Sequence, residues 1–298
     1  MPLRPRRVAP RAALPTLARL YGASEADLTA LSGQLTAAYL VEDEQGNVVG
    51  ALGLRPTPAH GAELVGGAFP GAVQHEAVTT LLQAALSEQP HLYAYAEGHL
   101  LPEAALQDAG LWWAEAFTRL VGALPDVAAQ VPSGYHILPL AAVPSREARL
   151  AAQATYSDRI GHTQVPPEVA DTDFGGSDDR LSRMALDETG NPSGICRVWV
   201  DGEEASLGTP GVHPDARGTG LRQALLLAAC GAAREAGAAR VVLDAWGDTD
   251  EERQADEALG FRVQDLTPIY ATAAVSHPPA DVLSAAVPEG GPRPGRTS

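Results

Sequence analysis

Residues 212–226 read V-H-P-D-A-R-G-T-G-L-R-Q-A-L-L. A strand-like stretch ends at Val212, a proline turn follows, and an apolar-periodic helix begins at Leu221. Gly218 and Gly220 remove two Cβ atoms at that turn, which leaves backbone N–H groups uncovered. The first N–H groups of a helix have no internal partner and sit at the positive end of its dipole. A turn of this kind holds a phosphate or diphosphate. Plain turn chemistry is the bland alternative for a lone Gly-x-Gly. Two other phosphate loops are excluded. The third glycine of G-x-G-x-x-G and its acid about 20 residues on are missing. No Gly-Lys-Ser/Thr follows, because the chain contains no lysine.

The elements that would position this turn read outward from it. Gly134–Leu140 is a short apolar strand and Ser145–Tyr156 a helix. Arg183–Leu186 and Gly194–Val200 flank the turn Asp187-Glu188-Thr189-Gly190-Asn191 as a hairpin, and Glu203–Val212 is the next strand. Leu221, Ala224, Leu225 and Ala228 give the i, i+3, i+4, i+7 stripe of a helix over Leu221–Glu235. Arg240–Ala245 is a buried strand. Thr249 and Glu252 form a capping box for a helix closing at Leu259-Gly260, and Thr267–Thr272 is a last strand.

The string V-x-P-x-x-R-G-x-G-L, in this order of elements, resembles the acetyl-CoA-binding motif of the GNAT N-acetyltransferase superfamily, over roughly residues 131–275. The Gly260-Phe261 pair resembles that family's usual helix ending. The resemblance implies a mixed α/β sheet, a CoA diphosphate held by Arg217, Gly218, Thr219, Gly220 and Leu221, and a backbone amide near Val212 that meets the thioester carbonyl. It implies acetyl-CoA as co-substrate and a small-molecule or peptide amine as acceptor. It further implies a carboxylate base on the strand before the turn, where Glu203 and Glu204 stand. A hairpin turn at Asp201-Gly202-Glu203-Glu204 explains those two acids equally well.

Two departures stand out. Asp256 occupies the position of the family's proton-donating tyrosine, and on an exposed helix face it would be a poor acid. Tyr270 is a substitute donor or simply a core aromatic. Arg222 replaces a small residue in the cradle, where it either pairs with a CoA phosphate or projects to solvent. Asp248 is a candidate contact for pantetheine or the amine, or a solvated loop acid. The reading is therefore an acyl-CoA-dependent N-acyltransferase, the alternative a non-catalytic acyl-CoA-binding or regulatory protein.

The chain also repeats itself. Asp43-Glu44-Gln45-Gly46-Asn47 recurs as Asp187-Glu188-Thr189-Gly190-Asn191, an offset of 144 that also carries Pro70 onto Pro214 and Leu81-Leu82 onto Leu225-Leu226. Two tandem GNAT-like domains are expected, each a twisted mixed sheet flanked by helices, over 1–125 and 131–275. The linker is Pro125–Ser133, and a Pro/Gly-rich flexible tail occupies 276–298. At the same offset Arg217-Gly218-Thr219-Gly220 falls on Val73-Gln74-His75-Glu76. Glu76 would oppose a diphosphate by on the order of several kcal/mol, so the first copy is expected not to bind cofactor.

With 37 acidic against 21 basic residues, the net charge is −16. That argues against nucleic acid or anionic membranes as partners. Asp171, Asp173, Asp178 and Asp179 are the acceptor-side charges expected to attract a cationic amine. No secretory signal or run of 18 apolar residues is present. Cys196 and Cys230 fit reduced thiols of a cytoplasmic protein. No C-x-x-C or paired-His spacing calls for a metal, and a homodimer is compatible with the sequence.

Overall fold

A computed structural model describes residues 3–162 and 165–272 of the chain. The expected tail at 276–298 lies outside the described residues. Two compact units result, and neither is a continuous stretch: one comprises residues 3–115 with 267–272, the other residues 116–266.

The first unit runs β1 (Arg4–Val8), α1 (Pro10–Tyr21), α2 (Thr29–Gln34), β2 (Ala37–Glu42), β3 (Val48–Pro56), β4 (Ala62–Ala68), α3 (Gln74–Glu88), β5 (Leu92–Tyr95) and α4 (Glu103–Asp108). Strands β1 to β4 form an antiparallel meander, and β4 pairs parallel with β5. Leu81 and Leu82 of α3 are buried against Leu52, Leu54, Leu64 and Leu92 of the sheet. Arginines of β1 lie outward, where Arg6 meets Glu42 at 2.9 Å and Arg7 meets Glu88 at 3.0 Å.

The next strand, β6 (Trp112–Ala123), carries residues 116–123 into the second unit. That unit continues with β7 (Tyr135–Pro139), α5 (Arg146–Gln153), β8 (Arg183–Asp187), β9 (Pro192–Cys196), β10 (Val198–Asp201), β11 (Glu204–Gly208), β12 (Gly211–Val212), α6 (Leu221–Glu235), β13 (Arg240–Asp248) and α7 (Asp250–Ala258). Strand β14 (Arg262–Ala271) then delivers its last residues to the first unit, where Ile269–Ala271 pair antiparallel with β5. Residues 116–123 pair antiparallel with β13, and Leu120 and Leu124 are buried in the second unit's core. Each unit thus takes its strand beside β5 or β13 from the other half of the sequence. A boundary at 125–131 follows sequence order; the hydrogen-bonded edges do not.

Duplication is visible in the hairpin loops. Asp43 Oδ1 accepts from the backbone N–H groups of Gln45 and Asn47, and Asp187 Oδ1 accepts from those of Thr189 and Asn191. Gly46 and Gly190 close the two loops at φ 82° and 85°, left-handed values that favour glycine. Thr249 caps α7 reciprocally with Glu252, as the sequence predicts.

Two expected strands are broken. The stretch 194–200 divides at Arg197 into β9 and β10, which enter different sheets, and 203–212 divides at Thr209-Pro210 into β11 and β12. Proline cannot donate to a sheet ladder, so pairing stops there.

Candidate active site

The second break creates the opening. Strands β11 and β13 run parallel with Glu204–Gly208 opposite Arg240–Asp244, and a last bond joins Thr209 N–H to the Asp244 carbonyl at 2.9 Å. Beyond it, β12 pairs with β9, whereas β13 continues on β6. Two parallel strands that part at their carboxyl ends leave a crevice of the type that binds ligands in α/β sheets. The antiparallel register also orients Val212. His213 N–H bonds the Ser193 carbonyl at 2.9 Å, and Val212 stands opposite Gly194. Hydrogen-bonded and non-bonded pairs alternate in such a ladder. Val212 therefore turns its N–H away from β9, toward the side on which the strands part.

One tight turn, Pro214–Ala216, leads from there to α6. Gly218 and Gly220 have φ of 75° and 91°, so both need the left-handed region. Among the described residues, the N–H groups of 218, 219, 220, 222 and 223 have no hydrogen-bond partner. The Leu221 N–H is met by the Thr219 hydroxyl at 3.3 Å, which itself donates to the Ala216 carbonyl at 2.7 Å. A Cβ added at Gly218 would meet nothing within 4 Å, and one at Gly220 only the Pro132 ring at 3.9 Å. This turn is an open concavity of uncapped donors, and a diphosphate fits its chemistry.

The side chains around it are spent on one another. Arg217 reaches Asp158 with both terminal nitrogens, at 2.6 and 2.7 Å, and bonds the Val212 carbonyl at 3.2 Å. That ties the cradle to the segment after α5. Burial would raise the Asp158 pKa, but the Arg217 guanidinium outweighs it and holds the carboxyl below its usual value.

Arg222 corrects the sequence expectation most clearly. It neither projects to solvent nor stands ready for a phosphate. Its two terminal nitrogens bond the carboxylate of Asp256, at 2.8 Å each, and one also bonds Asp248. Arg159 completes the cluster, gripping Glu252 at 2.5 Å and the Gly247 carbonyl at 3.1 Å and standing 3.7 Å from Asp248. Asp248 also accepts from the Thr209 hydroxyl at 2.9 Å. Asp248 and Asp256 are buried, not the solvated acids expected. Burial pushes Asp256 up, and the Asp248 and Glu252 charges add to this while Arg222 opposes it. Glu252 is also pushed up by burial, yet Arg159 and Arg222 hold it down to about 2. The cluster pins the start of α6 to the end of β13 and to α7.

Asp256 therefore holds Arg222 with both oxygens and does not present a proton to a leaving group. Glu204 opens β11, exposed opposite Arg240 at 3.8 Å. Seven steps of chain lead from it to Gly211, on the order of 20 Å if extended, so Glu204 stands at the far end of β11 from the parting of the strands. Tyr270 belongs to the first unit's core, where its hydroxyl donates to Glu103 at 2.9 Å and accepts from Gln107 at 3.1 Å. Burial and the Glu103 carboxylate raise its pKa.

The expected acceptor acids are also largely neutralised. Asp171 pairs with Arg146, and Asp178 pairs with Arg180 at 2.6 Å. Asp179 is buried between Arg149 at 2.5 Å and Arg197 at 3.7 Å. Asp173, in the left-handed region at φ 51°, accepts from the Asp179 N–H. Arginines 149, 159 and 197 hold this region together. Sequence reasoning missed them because their partners Asp179, Glu252 and Gln153 lie 30, 93 and 44 residues away.

The matching place in the first unit is closed. The Leu100 carbonyl accepts from Ala68 N–H at 3.1 Å, and a Cβ on Gly67 would lie 2.2 Å from that oxygen. The Gln74 carboxamide donates to the carbonyls of Ala68 and His99, and Glu76 sits in the first turn of α3.

Residues 150–261 match the model of the acetyltransferase (GNAT) family, so the second unit carries a GNAT domain. A search of curated proteins found no match. Solved structures share the fold. A GCN5-related N-acetyltransferase from Sphaerobacter thermophilus has a TM-score of 0.53 at 19% identity, covering 90% of this chain and 95% of that one. A probable N-acyltransferase from Enterococcus faecalis has a TM-score of 0.57 at 10% identity, covering 91% and 72%. A GCN5-related N-acetyltransferase from Anabaena variabilis has a TM-score of 0.53 at 13% identity, covering 92% and 73%. Among the described residues no helix is long and apolar enough to cross a membrane, and no acid, histidine or cysteine cluster suits a metal.

Proposed function

We propose that the second unit transfers an acyl group from acetyl-CoA to an amine of a small molecule or peptide, and that the first unit has lost cofactor binding. The single observation that carries this reading is the set of free N–H groups at residues 218, 219, 220, 222 and 223 beside the parted ends of β12 and β13. Acetyl-CoA would supply a thioester carbonyl and a thiolate leaving group. The chain's part is to hold the diphosphate on the cradle and to offer the Val212 N–H to the carbonyl oxygen as it gains charge. The amine nitrogen, neutral after losing a proton, forms the C–N bond while the C–S bond breaks, and the thiolate takes up a proton. Direct transfer needs no covalent acyl-enzyme.

Asp256 bound to Arg222, and Tyr270 bound to Glu103, favour a second reading in which acetyl-CoA is bound without turnover. Release of free thiol across a panel of amines separates the two. Amine-dependent thiol release supports transfer. Thermal stabilisation by acetyl-CoA with no thiol release supports a binding or regulatory role. Neither response would refute both.

A further inference from the structure

Next to the cradle lies a groove of about 380 Å³ that the transfer reaction does not use. Its walls are Val127, Val131 and Pro132 on one side and Ala224 and Leu227 of α6 on the other. Gln130 and Gln223 add carboxamides, each able to donate and accept. Thr219 and Gly220 form its end, so groove and cradle share residues.

The wall opposite α6 is an anchored element, although it has no helix or strand. Arg234, in the last turn of α6, bonds the carbonyls of Leu124 and Pro125 and meets Asp126 at 3.1 Å. At the other end the Pro132 ring stands 3.9 Å from where a Cβ on Gly220 would lie, and both residues line the groove. From Leu221 to Arg234 the helix rises about 20 Å, and residues 125–132 extended span about 23 Å. The segment therefore runs the length of α6, antiparallel to it. Val127 and Val131 remain 52% and 42% exposed. These are apolar surfaces that neither helix nor wall covers.

We propose that this groove takes the nucleoside end of CoA: the purine base between the two valines and Leu227, its polar edge on Gln130 and Gln223. The inference rests on the proposed function. A diphosphate on residues 218–223 has two arms. The pantetheine arm must run to the side where β12 and β13 part. No residue of β11, β12 or β13 lines the groove, so the groove faces the other arm. Its volume sits at the lower end of the roughly 300–1,000 Å³ range of small-ligand sites. A flat heteroaromatic with one hydrogen-bonding edge matches apolar walls bearing two amides. In this chain the site is built by the segment joining β6 to β7, and α6 alone would leave the base in water.

The test is calorimetric titration of the full chain with acetyl-CoA and with acetyl-4′-phosphopantetheine, which lacks the nucleoside. The variants are Val127→Ser with Val131→Ser, and separately Gln130→Trp, which fills the groove from an exposed position of the wall segment, outside the cradle. Five- to tenfold weaker acetyl-CoA binding in either variant, with acetyl-4′-phosphopantetheine unchanged, supports the proposal. Equal weakening of both ligands, or no change in either, overturns the groove and leaves the cradle standing. Failure of the wild-type chain to bind either ligand overturns the cradle, and the groove with it.

Discussion

Replacing Arg222 by alanine is the sharpest test of how the cradle is held. The guanidinium supplies both hydrogen bonds to Asp256 and one to Asp248; the two carboxylates are buried and the Arg222 side chain is 13% exposed. In the variant Asp248 keeps the Thr209 hydroxyl and Arg159 at 3.7 Å, whereas Asp256 loses its cation outright. Removing one partner of a buried pair costs about 3–5 kcal/mol. For a unit of this size that is roughly 6–20 °C in Tm.

The loss should depend on pH, with a definite sign. Asp256 already has a folded pKa above its ordinary 3.8, because burial and the neighbouring carboxylates favour the neutral acid. Without Arg222 it rises further. A carboxyl raised on folding weakens the fold while it is ionised and stops doing so as pH falls through its folded pKa. The deficit of Arg222→Ala relative to wild type should therefore shrink on going from about pH 8 to about pH 5. Asp256→Asn in the Arg222→Ala background should recover part of it. Thermal unfolding of the four-member cycle across pH measures both effects, with a coupling of about 1–3 kcal/mol. A loss under about 1 kcal/mol, or one that is flat with pH, would refute the reasoning. Weaker CoA binding at unchanged stability would return Arg222 to a phosphate role.

Gly220→Glu should lower acetyl-CoA affinity by more than about 100-fold in calorimetry, since the carboxylate enters the cradle; the φ of 91° adds a stability loss of about 1–2 kcal/mol. Asp158→Asn removes the bidentate partner of Arg217 and should raise the KM for acetyl-CoA three- to tenfold with kcat within twofold, read from steady-state thiol release. Glu204→Gln and Tyr270→Phe should each leave kcat/KM within twofold, because one side chain is an exposed strand start and the other bonds Glu103. Tyr270→Phe should cost about 1 kcal/mol of stability; a hundredfold fall in kcat for either variant would restore it to the chemistry.

Local signals in the sequence determined much of this protein. The glycines at 218 and 220, the apolar stripe of Leu221–Glu235, the Thr249–Glu252 box and the two Asp-x-x-Gly-Asn loops each depend on neighbours within a few residues. Backbone sterics and short-range hydrogen bonding are written at that range, so the cradle and the duplication are legible without coordinates. Only tertiary structure decided the rest. Arg222 meets Asp256 across 34 residues and Arg159 meets Glu252 across 93, and a charge pattern in one dimension does not say which acid a guanidinium will find. The strands that complete β5 and β13 come from opposite halves of the chain because a sheet edge is satisfied by whichever strand folding brings alongside. Periodicity marks a strand and leaves its partner unspecified.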